Sequence, residues 1–396
     1  MHIVHVTSHL PPDQAANALL PWQLGEWARA AGDTVEYVAH PPRLRAASGP
    51  APPVSARPPA GPVTWIPPRT RGLLDRLLRV EAITGACAIW RAFAPVLSRA
   101  DVVHVHSNGL LPELSVLLAR RAGKPVLLTL YGTEIWHYRP RRVTVDLFTR
   151  AYRAASAITF YSARLLDRAH DAGLGRRGLQ VIYPSVADAF TWHDEEAQAQ
   201  VRSELRLQNR HVLVNVKRLH PLAGQRHLIE AMTDVVRAHP DTRLIICGEG
   251  SLRDELTRIS RSAGVERHVW FPGLVDNSLV ARYCAAADLF VLPSLLEALP
   301  TVAVEALACG TPVISSDNPG GIELNELFGP DVSIVPREQP IALGAAISHF
   351  LHEKRRAYTT TRGVVERTFR PAAVAEQYWA VYDQLRAQST GGGSVS

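Results

Sequence analysis

The residues best suited to chemistry lie in one stretch, DLFVLPSLLEALPTVAVEALACGTPVISSD, at 288–317. An apolar strand opens it, and the loop after the strand carries Glu297. A helix should then begin at Pro300, because proline suits the first helical position. This helix carries Glu305 and should end at Gly310. The pattern therefore predicts a strand, a loop and a helix, with one carboxylate in the loop and one on the helix.

The start of that helix predicts a phosphate site. Amide groups in a first helical turn lack partners within the helix and lie at its positive end. We expect the amides of Thr301, Val302 and Ala303 to bind phosphate. Glu297 would lie beside the group that the phosphate carries, and Glu305 beside a group on its other side. Carboxylates are poor phosphate ligands but good acceptors for sugar hydroxyls. The alternative is two solvated surface acids, which the apolar neighbours of Glu305 disfavour.

The surrounding chain predicts the sheets that position this loop. Short apolar segments alternate with segments of helical periodicity, first before and then after a polar, charged segment at about 187–209. The predicted strands are 2–8, 34–40, 101–107, 125–132, 157–162, 180–186, 211–219, 242–250, 268–273, 288–294, 312–317 and 332–336. The predicted helices include 18–32, 73–94 with a stop at Pro95, 111–122, 143–155, 224–238, 251–263 and 277–287. Two such sets predict two doubly wound α/β domains, with 41–69 as a loop.

Composition narrows the class of protein. The 396 residues exceed one ordinary domain, and 46% hydrophobic with 20% charged residues is typical of globular proteins. A net charge of +6 fits an anionic ligand, but no basic tract with interleaved aromatic residues predicts nucleic-acid binding. No apolar run is long enough to span a bilayer, and MHIVHVTSHLPP does not read as a signal peptide. We therefore expect a cytoplasmic protein whose four cysteines are reduced.

Several motifs together resemble the retaining glycosyltransferases of family 4. They are the spacing of Glu297 and Glu305, the run EALACGTPVISSD, the Gly320-Gly321 pair with Glu323, and GEGSLRDEL at 248–256. The resemblance extends from HIVHVTS through DVVHVHSNG and VIYPSV to EQYWAVYDQL. Any one of these motifs alone would be weak, whereas the combination is specific.

The resemblance implies a fold, a reaction and domain limits. The family has the GT-B architecture, in which two Rossmann-like domains face each other across a central cleft. It moves a sugar from a nucleoside-diphosphate sugar to a hydroxyl of a small-molecule, saccharide or lipid-linked acceptor, with retention of anomeric configuration. We expect an acceptor domain at 1–187, a donor domain at 188–370, a helix at 371–388 that returns to the first domain, and a flexible tail at 389–396. The absence of D-x-D agrees with a site that uses no metal ion and no cofactor.

The resemblance also implies roles for single residues. Glu297 would contact hydroxyls of the donor sugar, and Glu305 the ribose of the nucleotide. Arg218, with Lys217 beside it, would neutralise the diphosphate, and Gly248 would lie over the nucleotide, with Glu249 and Gly250 as bystanders. The backbone that holds the diphosphate would be that of Leu299, Pro300, Thr301 and Val302.

Three positions depart from the family pattern. Ala223 stands where a lysine usually pairs with Arg218, and Lys217, Arg226 or His227 could replace it. Tyr131 stands where a histidine usually lies near the sugar and phosphate, and we expect it to donate a hydrogen bond there. The glycine pair of the first strand-to-helix loop is replaced by alanines at 15–16, which changes how closely the backbone can approach a ligand.

Polar residues in the first half of the chain complete the candidate site. Asn17, Asn108, Glu134 and His137 lie in loops after predicted strands and are candidate acceptor contacts. His104 and His106 share one face of a strand, and the sequence shows no third ligand to make a zinc site with them. We therefore interpret both as structural imidazoles.

Other hypotheses stand beside this one. The basic, leucine-rich segment at 69–93 is either an ordinary amphipathic helix or a peripheral membrane contact. A nicotinamide-dependent oxidoreductase is disfavoured because neither domain opens with G-x-G-x-x-G. A non-catalytic sugar-binding protein is suggested by Ala223 and Tyr131.

Overall fold

The computed structural model describes residues 1–11, 16–41, 59–66, 81–140 and 146–391. The chain forms two compact units. The first contains the described residues up to 183 and the last helix from 375 onward, and the second contains residues 184–374.

The first unit is built on a seven-stranded parallel sheet with the order β3-β2-β1-β4-β5-β6-β7. Its strands are β1 (His2–Thr7), β2 (Thr34–Ala39), β3 (Val63–Trp65), β4 (Val102–His106), β5 (Val126–Leu130), β6 (Ala157–Phe160) and β7 (Leu179–Val181). The described helices that precede the second unit are α1 (Ala16–Ala30), α2 (Glu81–Arg99), α3 (Leu110–Arg121), α4 (Thr133–Trp136), α5 (Leu147–Ala154) and α6 (Ala163–Ala169).

The second unit repeats this plan with a six-stranded parallel sheet, in the order β10-β9-β8-β11-β12-β13. Its strands are β8 (His211–Val216), β9 (Thr242–Cys247), β10 (Val269–Gly273), β11 (Leu289–Leu292), β12 (Val313–Ser316) and β13 (Val332–Val335). The remaining helices are α7 (Glu195–Glu204), α8 (Gln225–Ala238), α9 (Arg253–Ser262), α10 (Asn277–Ala286), α11 (Thr301–Ala308), α12 (Pro319–Phe328), α13 (Pro340–Glu353), α14 (Thr359–Thr368) and α15 (Pro371–Gly391). The prediction of two doubly wound parallel sheets is confirmed.

Two local predictions were wrong, and a third segment was assigned no secondary structure from the sequence. The loop expected at 41–69 contains the short edge strand β3. The stop expected at Pro95 does not occur, because α2 continues through Pro95 to Arg99 and buries Val96 and Leu97 beyond it. Proline removes one amide donor from the helix, and the apolar contacts after it outweigh that loss. The polar segment at 187–209 contains helix α7, which Asp194 caps through the amide of Ala197.

The two faces of the first sheet differ in character. One face packs the apolar residues of the strands against helices α2, α3, α5 and α6 in a continuous core. The other face is polar and aromatic, because β1, β4, β5 and β6 carry histidine or threonine on this side, and Tyr131 and Tyr161 directly follow β5 and β6. Tyr382 and Tyr378 of α15 cover this face, and the ring of Tyr378 lies 5.6 Å from that of His104.

The expectation that His104 and His106 have no third companion was wrong. His5 of β1 pairs in register with His104 of β4, so the three imidazoles lie on the same face. The sequence did not reveal this, because nearly one hundred residues separate β1 from β4 in the chain while the sheet places them side by side.

No helix among the described residues is long and apolar enough to cross a membrane. Within the segment proposed for membrane contact, 69–80 lie outside the described residues. The described part lies in α2, where Trp90 is 49% exposed and Arg91 is exposed beside it. Membrane contact through 69–93 stays a prediction.

Arg356 joins distant segments of the second unit. Its guanidinium donates hydrogen bonds to the carbonyls of Ala287 at 2.9 Å, His193 at 3.1 Å and Cys309 at 2.6 Å, and to the hydroxyl of Thr311 at 3.1 Å. Burial lowers the pKa of Arg356 to about 10, so the group stays charged near neutral pH. It therefore ties the segment before α7 to the end of α11.

We expect Arg356→Met to lower the free energy of unfolding by about 3 kcal/mol, because buried carbonyls lose a charged donor. Arg237→Met is the matched control, since Arg237 is exposed on α8 and makes only a surface ion pair; it should change stability by less than about 0.5 kcal/mol. Urea unfolding measures both. Equal effects of the two variants would contradict the role of Arg356.

Candidate functional site

Two loops at the carboxyl end of the second sheet are joined by backbone contacts. The amide of Lys217, just after β8, donates a hydrogen bond to the backbone carbonyl of Cys247 at 3.0 Å. The amide of Leu219 donates one to the backbone carbonyl of Glu249 at 3.0 Å. A Cβ on Gly248 would lie 2.2 Å from the carbonyl oxygen of Lys217, and one on Gly250 would lie 2.1 Å from that of Leu219. Both glycines are therefore needed for this approach. Glu249 and Gly250, expected to be bystanders, hold the loop that carries Lys217.

A third loop closes on the same edge. The amide of Leu295, after β11, donates to the carbonyl of Leu222 at 2.8 Å. Gly224 has φ of 68°, and a Cβ there would lie 2.0 Å from the carbonyl oxygen of Pro293. Ala223, which precedes it, is only 3% exposed. The loop after β8 is thus fixed against the loop that carries Glu297.

Hydrogen bonds from the start of α12 hold the loop after β11 in place. The amide of Gly320 donates to the carbonyl of Glu297 at 3.1 Å. The side-chain amide of Asn318 donates to the carbonyl of Ser294 at 2.9 Å, while its oxygen caps the amide of Gly321 at 3.0 Å. A Cβ on Gly320 would meet the carbonyl of Ala298 at 2.8 Å. The Gly-Gly pair therefore permits close packing beneath Glu297.

Helix α11 begins one residue later than predicted. Pro300 is its N-cap residue, and the first helical residue is Thr301. The amide of Ala303 donates to the carbonyl of Pro300 at 3.0 Å, so the expectation of three unpaired amides was wrong for this one. Among the described residues, no group accepts a hydrogen bond from the amide of Thr301 or Val302. Two donors at a positive helix end are left for an anion.

Lys217 and Glu297 form an ion pair at this edge. The Nζ of Lys217 lies 2.6 Å from Oε1 of Glu297, and the two side chains are 29% and 11% exposed. They border a cavity of about 260 Å³. Its lining consists of Lys217, Arg218, His220, Leu222, Ala223, Leu296 and Glu297. Three predicted site residues thus line one cavity, and Ala223 lies where the family pattern has a lysine.

Arg218 is exposed at this cavity and pairs with no described carboxylate, whereas each of the three candidates to replace the missing lysine lies close to a glutamate. Arg226 and His227 both face Glu230 on α8, at 2.8 Å and 3.5 Å. Of the three candidates from the sequence, the contacts favour Lys217, because its side chain lines the cavity while the other two face Glu230. His220 and Leu222 were missed, although they belong to the same run, VKRLHPLAG.

Glu305 lies within the apolar helix α11, whose neighbouring side chains Ala303, Val304, Ala306 and Leu307 are buried. Burial raises the pKa of Glu305 from 4.5 to about 7. No described side chain donates a hydrogen bond to this carboxyl group. A half-buried acid to which no described side chain donates is suited to the hydroxyl groups of a ligand.

Tyr131 and Glu134 follow β5 in the first unit, and both are engaged within it. The Tyr131 hydroxyl lies 2.7 Å from Nδ1 of His106, and burial holds its pKa well above the ordinary value. Glu134 accepts hydrogen bonds from the Ser107 hydroxyl at 2.6 Å and the Gly132 amide at 2.8 Å. A direct role for either in ligand binding stays a prediction and requires these bonds to be exchanged.

The remaining candidate acceptor residues lie at strand ends of the first unit. Asn108 and His137 are exposed after β4 and β5, and Ser107 next to Asn108 has φ of 68°. Asn17 is half-buried in α1, and its carbonyl accepts a hydrogen bond from the Thr7 hydroxyl at 2.5 Å. Alanine 15 lies outside the described residues. Acceptor binding by these residues stays a prediction.

Comparison with known proteins gives two family matches. Residues 197–363 match the model described as glycosyl transferases group 1, and residues 22–190 match glycosyltransferase family 4. The chain is 32% identical over 250 residues to a GDP-mannose-dependent alpha-(1-6)-phosphatidylinositol monomannoside mannosyltransferase of Mycolicibacterium smegmatis. It is 30% identical over 261 residues to 2-deoxystreptamine N-acetyl-D-glucosaminyltransferase of Streptomyces fradiae. These alignments cover 61% and 62% of this chain, and 64% and 62% of the relatives' lengths.

Solved structures show the fold. Sucrose-phosphate synthase from Thermosynechococcus elongatus aligns with a TM-score of 0.73 at 21% identity, over 98% of this chain and all of that one. Anabaena HepE in complex with UDP and glucose aligns with a TM-score of 0.71 at 20% identity, over 97% of this chain and all of that one. The fold of this chain is GT-B.

The raised pKa of Glu305 predicts a pH-dependent stability. Below pH 4.5 the group is protonated in both the folded and the unfolded chain, so it has no effect. Between pH 4.5 and 7 the unfolded chain loses the proton while the folded chain keeps it, so the contribution of Glu305 becomes increasingly destabilising, and it levels off above pH 7.

We expect the free energy of unfolding of the wild type, relative to Glu305→Gln, to fall by about 2–3 kcal/mol between pH 4 and pH 8. Urea unfolding of both proteins across this range measures the difference. A difference independent of pH would show that Glu305 is ionised and solvated in the folded protein.

Proposed function

Since the chain belongs to the group 1, family 4 glycosyltransferases, we propose that it transfers a sugar from a nucleoside-diphosphate sugar to an acceptor hydroxyl. We further propose that transfer retains the anomeric configuration and uses protein cations at the diphosphate. The observation that carries the proposal is the start of α11, where two unpaired amides lie between Glu297 and Glu305.

The donor site is proposed within the second unit. The amides of Thr301 and Val302 would bind the diphosphate, with the backbone of Leu299 and Pro300 shaping the approach. Arg218 and Lys217, at the neighbouring cavity, would supply positive charge. Negative charge develops on the diphosphate as the sugar leaves, and fixed donors stabilise that charge in the transition state. Gly248 would act by allowing the backbone to bring Lys217 into place.

The two carboxylates are proposed to recognise the sugars on either side of the diphosphate. Glu305 would accept hydrogen bonds from the ribose hydroxyls. Binding would thereby supply this carboxyl group with donors that no described side chain provides. Glu297 would contact the donor sugar. Because Lys217 pairs with Glu297 at 2.6 Å, an arriving diphosphate would compete for that lysine and release the Glu297 carboxylate toward the sugar hydroxyls.

We propose a lipid-linked, saccharide or small-molecule acceptor and a cytoplasmic location. The Mycolicibacterium relative is named as a phosphatidylinositol monomannoside mannosyltransferase, and the Streptomyces relative as a 2-deoxystreptamine N-acetyl-D-glucosaminyltransferase. The relatives are thus named for both lipid-linked and small-molecule compounds.

Release of nucleoside diphosphate from a panel of UDP-, GDP- and ADP-sugars tests the proposal. We expect slow hydrolysis of at least one donor and a higher melting temperature with the matching nucleotide. Glu297→Gln should slow hydrolysis about 100-fold, and Glu305→Gln should weaken nucleotide affinity about tenfold, because each removes a charged acceptor. Glu230→Gln, on the surface of α8, is the control and should change neither.

Two outcomes would oppose this account. Binding of nucleotide sugars without turnover would instead support a sugar-binding protein without transferase activity. Stabilisation by a nicotinamide cofactor, with none by nucleotide sugars, would support an oxidoreductase.

A separate experiment tests whether Lys217 replaces the lysine that the family pattern has at 223. Lys217→Met should lower kcat/KM about 10–100-fold, because one charge-assisted contact to the diphosphate is lost. Arg226→Met is the control and should have no effect, since Arg226 pairs with Glu230. Adding Ala223→Lys to Lys217→Met should restore part of the activity, because Ala223 lines the same cavity. Equal activities of the Lys217 and Arg226 variants would contradict this role.

A further inference from the structure

The polar face of the first sheet brings three histidines together. His104 and His106 are two positions apart on β4, so both point to the same face. His5 on β1 pairs in register with His104. All three side chains are fully buried, and one ring nitrogen of each lies within 4.8 Å of the others. Two histidines on one strand and a third on its neighbour can converge on a single ion.

Hydrogen bonds with two tyrosine hydroxyls orient the rings of His104 and His106. Nδ1 of His104 shares a hydrogen bond of 2.7 Å with the Tyr382 hydroxyl of α15, and Nδ1 of His106 shares one of 2.7 Å with the Tyr131 hydroxyl. A histidine that binds a metal ion through one nitrogen is usually oriented by a hydrogen bond at the other. In both rings it is therefore Nε2 that can serve as the ligand atom.

His5 completes the set and has an unsatisfied nitrogen. Its Nδ1 lies 3.0 Å from Nε2 of His106 and is the ligand atom on that side, whereas its Nε2 has no hydrogen-bond partner among the described residues although the ring is fully buried. Two nitrogens bound to one zinc ion at the usual distance of about 2.0–2.1 Å, with tetrahedral angles, are about 3.3 Å apart. The ring centroids of the three histidines are 4.0, 5.2 and 5.3 Å apart. Tetrahedral zinc ligation places such centroids about 5.2 Å apart, so the two separations from His5 suit one ion, and the rings of His104 and His106 would move apart to bind it.

The chemistry of the surroundings fits the same ion. Imidazole binds a metal ion as the neutral base, and the full burial of all three rings favours that form. Thr129 lies next to them, with its hydroxyl 2.7 Å from Nε2 of His104, and offers an oxygen for a fourth position. Imidazole ligands suit zinc and other borderline divalent metals, whereas calcium and magnesium prefer oxygen.

We propose that His5, His104 and His106 bind a divalent transition metal of the zinc class beneath α15. The ion would hold β1, β4 and, through Tyr382, the last helix together. This role is structural, and the residues proposed to bind the diphosphate belong to the second unit.

Metal analysis of the purified full chain tests the proposal. Because the histidines are buried, the protein is unfolded in guanidinium with EDTA, then refolded with Zn²⁺, with Co²⁺ or with EDTA alone. We expect about one ion per chain after refolding with zinc, the visible absorption of tetrahedral cobalt after refolding with Co²⁺, and a melting temperature several degrees lower after refolding with EDTA alone. His106→Gln and His5→Gln should lose the ion.

His211→Gln is the matched control, since His211 lies on β8 of the second unit beside His239. It should retain the metal. The proposal is overturned if the wild-type protein refolded with zinc holds no ion and melts as it does after EDTA. It is also overturned if His106→Gln or His5→Gln keeps as much metal as His211→Gln. The wild-type measurement decides the matter even if the histidine variants do not fold.

Discussion

The candidate site of the second unit depends on close contacts between backbone segments. At the carboxyl end of its sheet, the loops after β8, β9 and β11 approach one another so closely that a methyl group on Gly224, Gly248 or Gly250 would overlap a carbonyl oxygen. Each approach fixes a neighbouring residue. Lys217 and Glu297 are placed 2.6 Å apart by these backbone contacts, and the first turn of α11 follows directly. The chemistry of the site therefore rests on glycines that allow these close backbone approaches.

Much of the fold could be predicted from the sequence, because buried parallel strands are short apolar runs with recognisable ends. The twelve predicted strands all occur, whereas β3 was missed because three residues of an edge strand in a proline-rich segment carry no periodic signal. The helix stop at Pro95 was predicted from local geometry alone. Burial of Phe93, Val96 and Leu97 against the sheet outweighs the lost hydrogen bond.

The candidate site was predicted in part for the same reason. Glu297, Glu305 and the start of α11 were found because strand, loop and helix are contiguous in sequence. Side-chain direction was not predictable: Lys217 could have pointed away from Glu297, and Tyr131 could have been turned outward rather than toward His106. The histidine cluster was missed because its third member comes from another strand, nearly one hundred residues away.

Calorimetry of nucleotide binding tests the central claim that Glu305 receives the ribose. UDP, GDP and ADP are each titrated into the protein at pH 7, in two buffers with different ionisation enthalpies. Since burial raises the pKa of Glu305 to about 7 and ribose hydroxyls favour its charged form, we expect the wild type to release about half a proton more than Glu305→Gln when the nucleotide binds. Equal proton release by the wild type and the variant would contradict this claim.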